Sequence, residues 1–303
     1  MALVFFIHGV ATKDAGYSKK LESLIKQELI KQEQILPHFY ASFWGNVLKQ
    51  IGQIWNWIHQ DLQDFKKSHP NVDVRDVFRY QEFRQDFISE FFGDILTYFN
   101  TERGRKIREL IAQALSDFVK NFPTDEELHI VTHSLGSVVL WDVLFSDKFA
   151  PDDPAYEIRA TIDRNEQHTY LKSITTMGSP ILFFNMMLNV NSIKIKDFTE
   201  TYKSQPLRWL NIIHSSDIIA YPLKASLNAS LIPTIFFRDK YIWADANAAE
   251  RGARTFGQAH AAMGIGVADG HGYYWNSRGT ARLVAANILG DCTAIDSALI
   301  DNN

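Results

Sequence analysis

The chain has 303 residues, of which 46% are hydrophobic, so it can bury a sizeable core. Its net charge of −4 is unlike that of a basic nucleic-acid-binding protein, and its single cysteine, Cys292, excludes an internal disulfide. The N-terminus lacks the basic region and cleavage site of a signal peptide, and no stretch reaches the ~18 apolar residues that a membrane span needs. We therefore expect a cytoplasmic protein that binds no nucleic acid.

Six short apolar runs have the length and the β-branched or aromatic content of buried strands. The first five are near-continuous rather than alternating, which is typical of parallel sheets covered on both faces. The runs span Leu3–Ile7, Phe39–Phe43, Leu128–Thr132, Leu171–Met177, Trp209–His214 and Ile232–Phe237.

Amphipathic helical periodicity lies between these strands, over Leu21–Ile30 and Ile107–Phe122. A further helix is predicted over Asn276–Leu289, with Gly290 as its stop. The segment Asp147–Gln167 is polar and rich in Pro and Asp, which favours a surface loop. The alternation of strands and helices predicts an α/β fold with a mostly parallel central sheet and helices on both faces.

Two segments exceed what a minimal sheet-and-helix core needs, residues 46–90 and 181–205. We interpret them as a helical cap insertion and a smaller insertion within a single domain of residues 1–303. Aromatic side chains recur at helical spacing in and just after the first segment. Such stripes usually form core, although over an active site they would suit an acyl chain. The residues are Trp55, Trp57, Phe65, Phe78, Tyr80, Phe83, Phe87, Phe91 and Phe92.

The strongest chemical signal is a predicted strand that runs into a predicted helix, Leu128-His-Ile-Val-Thr-His-Ser-Leu-Gly-Ser137. Ser134 lies at the turn, where a sharp strand-to-helix connection would expose its hydroxyl as a nucleophile. Gly136 would leave room where strand and helix cross. Thr132 stands where the usual motif has its first glycine, and its side chain would press on the helix. The alternative is a serine that only caps the helix.

The loop after the first strand, His8-Gly-Val10, has the features of an oxyanion-binding loop. Gly9 would permit an unusual backbone dihedral that turns the Val10 N–H toward the nucleophile. That N–H and the Leu135 N–H, at the positive end of a helix, would be the two donors. The His8 side chain is interpreted as structural, hydrogen-bonded within its own loop.

An acid and a base follow in the chain order that a Ser-Asp-His triad requires. Asp217 comes three residues after a predicted strand, at the sheet edge where parallel sheets bind ligands. The alternative is an Asp that only caps a turn. His271 lies between two glycines, which favour a flexible, closely approaching loop, in Asp269-Gly-His-Gly-Tyr-Tyr-Trp275. His260 is its rival, but its apolar surroundings favour ordinary core packing.

Together these segments resemble the α/β-hydrolase superfamily, in its serine esterase and lipase branch. Thr176-Met-Gly-Ser-Pro-Ile181 resembles a segment that follows the nucleophile helix and its strand in many lipase-like members. Phe92-Gly-Asp-Ile-Leu-Thr-Tyr98 is similar to a segment of serine esterases related to lipid-inositol deacylases. The resemblance implies an α/β-hydrolase fold and a serine hydrolase that cleaves a carboxylic ester, such as a lipid or another acyl ester. Its acyl-enzyme mechanism would need no metal and no cofactor.

Other classes of function stay open at this point. An acyltransferase or thioesterase would use the same site, because water and other acceptors compete for one acyl-enzyme. A catalytically inactive binding protein would keep the fold without the chemistry. Peripheral membrane contact through Val47–Phe65 is disfavoured, because this segment lacks a basic face for anionic lipids. The sequence does not predict an oligomeric state.

Overall fold

The central feature is one sheet of six parallel strands. The computed structural model describes residues 1–9, 12, 14–47, 51–79, 81, 84–85, 90–163, 169–200, 205–258, 266 and 269–297. Within these ranges the strands are β1 (Ala2–Ile7), β2 (His38–Ala41), β3 (Glu127–His133), β4 (Tyr170–Met177), β5 (Leu207–His214) and β6 (Ile235–Ile242). Their spatial order is β2-β1-β3-β4-β5-β6, and every pairing is parallel. The prediction of an α/β fold is confirmed.

Helices connect the strands and cover both faces of the sheet. In the described parts of the chain, none of them is both long and apolar enough to cross a bilayer. They are α1 (Lys19–Lys31), α2 (Ile51–Ser68), α3 (Val74–Val77), α4 (Glu90–Phe99), α5 (Thr101–Asn121), α6 (Leu135–Phe145), α7 (Pro154–Ile162), α8 (Ile181–Leu188), α9 (Ser192–Thr199), α10 (Ala248–Thr255), α11 (Arg278–Leu289) and α12 (Cys292–Ser297).

The core has two layers because successive side chains of a strand point to opposite faces. On β1, Phe5 is buried with the apolar faces of α5, α6 and α7. Its neighbours Val4 and Phe6 are buried on the other side, with α1 and α11. All three side chains are fully buried. This two-sided burial is why the run over β1 is continuous rather than alternating.

The last strand and one long helix differ from their predicted bounds. β6 covers Ile235–Ile242, so the predicted Ile232–Phe237 began too early and ended five residues short. β6 pairs only with β5 and is an edge strand, where the polar run Arg238–Lys240 is tolerated. Helix α5 begins at Thr101, before the predicted start at Ile107. The apolar periodicity missed its first turns because they are polar. The side chain of Asn100 caps the helix by accepting a hydrogen bond from the Arg103 N–H.

The prediction of a surface loop over Asp147–Gln167 is wrong for its middle part, which forms α7. The Asp153 carboxylate caps this helix by accepting from the Ala155 N–H, and Pro154 occupies the first helical position. The carboxylate also forms a buried, bidentate ion pair with Arg108 of α5, with N–O distances of 2.7 and 2.6 Å. The Asp-Pro start signal therefore outweighs the polar composition.

The segment interpreted as a cap is helical where it is described, through α2 and α3. Its aromatic residues do not share one environment. Trp55 is buried and packs edge-on against Phe78, whereas Trp57 is 57% exposed. The smaller insertion contains α8 and α9. Tyr80, Phe83, Phe87 and the side chains of Phe91 and Phe92 lie outside the described residues, and the cap assignment stays a prediction.

The strand order places a crevice between β1 and β3. The chain runs from β1 to β2 on one side and then returns to β3 on the other side of β1. Ligands of open parallel sheets bind at the carboxyl ends of the strands where the order reverses in this way. Ile7 of β1 lies opposite Thr132 of β3, so the loops that begin at His8 and Ser134 leave the sheet side by side.

Candidate active site

Ser134 occupies the sharp turn between β3 and α6. Its backbone has φ = 53° and ψ = −128°, which is outside the usual left-handed region as well as the common right-handed ones. Holding a non-glycine residue in such a conformation costs about 1–3 kcal/mol. The Ser134 side chain forms no capping hydrogen bond, although the residue stands at the N-cap position. The interpretation of this serine as a helix cap alone is therefore wrong.

Neighbouring strands hold the turn in place. The Ser134 N–H donates to the Met177 carbonyl of β4 over 2.9 Å, and the Ser134 carbonyl accepts from the Ser137 N–H, also over 2.9 Å. Thr132 is fully buried, and its hydroxyl lies 3.5 Å from the Thr175 carbonyl oxygen. The turn therefore forms without a glycine at position 132.

Two glycines let the loop after β1 approach the turn closely. A Cβ atom on Gly9 would lie 2.3 Å from the Ser134 Cβ, and one on Gly136 would lie 2.4 Å from the His8 carbonyl oxygen. Gly9 does not have a positive φ, so the predicted unusual dihedral is wrong. Both glycines are needed because a side chain would not fit in the space, not because their backbone adopts an unusual dihedral angle. At Gly136, the start of α6 passes close to the carboxyl end of β1.

The imidazole of His271 links the hydroxyl to a carboxylate. Its Nε2 lies 2.7 Å from the Ser134 Oγ, and its Nδ1 lies 3.1 and 3.0 Å from the two Asp217 carboxylate oxygens. All three residues are buried. Because an ionised carboxylate can only accept, Nδ1 carries the hydrogen and Nε2 is left to accept from the hydroxyl. This is the arrangement that a general base for serine requires.

Asp217 is held by several donors in the turn after β5. Its Oδ1 accepts from the Ile219 N–H over 3.0 Å, so this residue also caps a turn, and its Oδ2 accepts from the Tyr274 hydroxyl over 2.8 Å. Burial alone raises the pKa of Asp217. The adjacent His271 and the hydrogen bonds from His271, Tyr274 and Ile219 outweigh burial and hold that pKa below its usual range.

The loop that carries His271 is fixed at two points. A Cβ atom on Gly270 would lie 2.9 Å from the Ser216 carbonyl group, whereas one on Gly272 would meet nothing within 4 Å. Only the first of the two flanking glycines is therefore needed for a close approach. The second point is His133, whose Nε2 lies 2.7 Å from the His271 carbonyl oxygen and donates to it. Burial lowers the pKa of His133 to about 3, so its ring stays neutral.

His8 lies inside the loop after β1. Its Nδ1 lies 2.7 Å from the Gly9 carbonyl oxygen, and its Nε2 accepts from the Trp44 N–H over 3.0 Å. The ring also stacks on the Trp44 indole with 4.4 Å between centroids. Burial lowers the pKa of His8 to about 4. Both ring nitrogens are used for structure, and the charge of the ring stays at zero near neutral pH.

Of the two predicted oxyanion donors, the structure describes only one. Leu135 is the first residue of α6, and its N–H has no acceptor among the residues that the structure describes. Such N–H groups at a helix start attract negative charge. Val10, the other predicted donor, and His260, the rival base, lie outside the described residues. Within the described ranges, no group of three or more His, Cys, Asp or Glu side chains is placed to hold a metal ion.

Sequence reasoning missed three residues that lie against Asp217 or His271: Tyr274, His133 and Gly178. Gly178 follows β4 with φ = 59°, and a Cβ there would lie 2.9 Å from both the Asp217 Oδ2 and the Tyr274 ring. The Met-Gly-Ser-Pro segment signals this glycine only through its resemblance to lipase-like chains. Tyr274 and His133 lie within segments that the sequence singles out, but no local pattern distinguishes their contacts.

Comparison with known proteins identifies no family. No family model and no curated protein matches the chain. Among solved structures, it aligns with the 2.75 Å crystal structure of an uncharacterised protein from Bacillus cereus ATCC 10987, with 11% identity and a TM-score of 0.39. The alignment covers 80% of this chain and 52% of that chain, so this chain spans about half the length of that protein. The sheet and the site by themselves define an α/β protein with a buried Ser-His-Asp contact.

Proposed function

We propose that this chain is a serine hydrolase of the α/β-hydrolase superfamily that cleaves a carboxylic ester. One observation carries the proposal: the unbroken series of hydrogen bonds from the Ser134 hydroxyl through His271 to Asp217. The three residues come from distant parts of the chain, and the serine is held in a strained conformation. Strained backbone and buried polar networks of this kind concentrate at active sites.

In the first half of the proposed reaction, the Ser134 Oγ attacks the ester carbonyl while His271 Nε2 takes the hydroxyl proton. The Asp217 carboxylate stabilises the imidazolium and keeps Nδ1 protonated. The Leu135 N–H, at the start of α6, would donate to the developing oxyanion. One such donor typically contributes about 3–4 kcal/mol to transition-state stabilisation.

In the second half, the imidazolium returns the proton to the departing alcohol and an acyl-enzyme is left on Ser134. His271 then takes a proton from water, and the resulting hydroxide attacks the acyl carbon. Collapse of this second oxyanion releases the carboxylic acid, and His271 gives the proton back to the Ser134 Oγ. The same three side chains serve both halves, so their loss is expected to be non-additive.

The Ser134 side chain must also be reached. Ser134 has 0% of its surface exposed, and His271 has 7%. An ester that reacts here therefore has to displace part of the chain that covers the hydroxyl.

Labelling with a small fluorophosphonate, followed by peptide mapping, tests the proposal directly. We expect one adduct, on Ser134, and none in Ser134→Ala. Ser134→Ala should also lose hydrolysis of p-nitrophenyl acetate while it unfolds at the wild-type temperature. The matched control is Ser297→Ala, which removes an exposed serine. Full hydrolysis by Ser134→Ala would contradict the proposal, and a folded wild type that takes no label would favour a binding protein.

The proposed substrates are acyl esters, a class that includes lipids. Rates on p-nitrophenyl esters of increasing chain length test the lipid version, which predicts faster hydrolysis of octanoate than of acetate. The reverse order would contradict a lipid substrate. Product analysis with added alcohols distinguishes a hydrolase, which yields free acid, from an acyltransferase, which yields a new ester.

A further inference from the structure

Tyr274 contacts the acid of the triad through its hydroxyl. The O–H donates to the Asp217 Oδ2 over 2.8 Å, and the same oxygen accepts from the His214 N–H over 2.9 Å. His214 is the last residue of β5, and Asp217 lies three residues further on. The hydroxyl therefore ties the carboxylate back to the end of a strand in the sheet. Tyr274 itself is fully buried.

This contact completes the restraint on the carboxylate. The Ile219 N–H holds Oδ1, and the Tyr274 hydroxyl holds Oδ2. With each oxygen held by its own donor, both face the His271 Nδ1 at nearly equal distances of 3.1 and 3.0 Å. Without the hydroxyl, only one backbone donor would oppose rotation of the carboxylate about its bond to Cβ.

We propose that Tyr274 is a positioning residue that fixes the Asp217 carboxylate against His271. The inference rests on the proposed hydrolase function, because Tyr274 would act only through Asp217. Burial and the charge of Asp217 keep the hydroxyl protonated, since they raise the pKa of Tyr274 well above its usual value. The group is thus a permanent donor over the whole pH range in which the triad would work.

The neighbouring Tyr273 provides a matched comparison. Its ring packs against the His214 ring at a tilt of 35°, with 4.3 Å between centroids, and its side chain is half-buried. Its hydroxyl forms no hydrogen bond with any residue in the described ranges. The two tyrosines are adjacent in the chain and share a 3-10 turn, Tyr273–Asn276, and they differ in burial and in what the hydroxyl contacts.

A double-mutant cycle tests the role of Tyr274. Tyr274→Phe, Asp217→Asn and the double variant are assayed on p-nitrophenyl acetate, with Ser134→Ala as the floor. We expect Tyr274→Phe to lower kcat about tenfold with KM unchanged, and to lower it by less than twofold in the Asp217→Asn background. Tyr273→Phe should stay within twofold of the wild type. If Tyr274→Phe does not fold, 4-fluorophenylalanine at position 274 fills the same volume without donating.

The outcomes separate the two proposals. Equal losses in both backgrounds would mean that Tyr274 does not act through Asp217, and unchanged kcat in the single variant would mean that it does not act at all. Either result overturns the positioning role while Ser134-dependent hydrolysis stands. Equal rates for the wild type and Ser134→Ala would instead overturn the proposed function, and the inference with it.

Discussion

Replacing Gly9 by alanine is expected to disable Ser134 without replacing any of the three side chains of the proposed proton transfer. The new Cβ atom would lie 2.3 Å from the Ser134 Cβ and 2.8 Å from the His133 carbonyl oxygen. Non-bonded carbon atoms sit about 3.5 Å apart or more, so this contact is short by about 1.2 Å. Both neighbours are held by strand hydrogen bonds, and the loop or the serine therefore has to move by roughly that distance.

The expected magnitude follows from this displacement. A misplacement of about 1 Å at a reacting group typically costs about 100-fold in rate. Overpacking of a buried site typically costs about 1–3 kcal/mol of stability. We therefore expect Gly9→Ala to lower kcat/KM for p-nitrophenyl acetate by at least about 100-fold. Its midpoint of thermal unfolding should fall by a few degrees, with the circular dichroism spectrum unchanged.

Gly272→Ala is the matched control, because it lies beside His271 in the chain. A Cβ there would meet nothing within 4 Å, and its φ of −85° suits any residue. It should retain activity within about twofold. If Gly9→Ala hydrolysed the ester within about threefold of the wild type and unfolded at the same temperature, the close contact between the loop after β1 and Ser134 would be refuted.

Three further results are expected. Gly178→Ala should lower kcat/KM at least about tenfold, because its Cβ would press on Asp217 and Tyr274, whereas Gly257→Ala, with φ = 72° and no neighbour within 4 Å, should cost stability alone. Arg108→Met should lower the free energy of unfolding by about 3–5 kcal/mol by leaving Asp153 buried and unpaired. Urea unfolding would show the loss, and the exposed pair Arg75–Asp73 is the control, whose removal should leave the free energy of unfolding nearly unchanged. Finally, burial lowers the pKa of His8 to about 4 and of His129 and His133 to about 3, below the ~6.5 of an unfolded chain.

The sign of this pH effect follows from proton uptake. Between pH 7 and pH 5 the unfolded chain protonates these three histidines and the folded chain does not. The free energy of unfolding therefore decreases as the pH is lowered. The expected loss at pH 5 is about 2 kcal/mol for each histidine, and replacing His129 by glutamine should remove its share. Equal urea midpoints at pH 7 and pH 5 would contradict the burial of neutral rings.

Local patterns predicted most of the sheet because burial on both faces leaves a direct mark on the sequence. The run over β1 is apolar throughout, and its bounds differ from the observed strand by one residue. The stop of α11 at Gly290 was also predictable, because this residue has φ = 73°, which glycine adopts without strain. The predictions were wrong for the bounds of the edge strand β6 and for α7. An edge strand tolerates polar residues, and in α7 polar residues cap the helix, so composition did not indicate the structure of either element.

The sequence by itself determined the candidates for the site, since a serine at a strand-to-helix turn, a late histidine between glycines and an acid after a strand are local signals. Only the tertiary structure decided what surrounds them. Tyr274 reaches Asp217, His133 reaches the His271 carbonyl, and Gly9 presses against Ser134 because parallel strands bring distant loops to one edge of the sheet. Such contacts depend on strand order and register, which pair residues far apart in the chain and therefore leave no periodicity in the sequence.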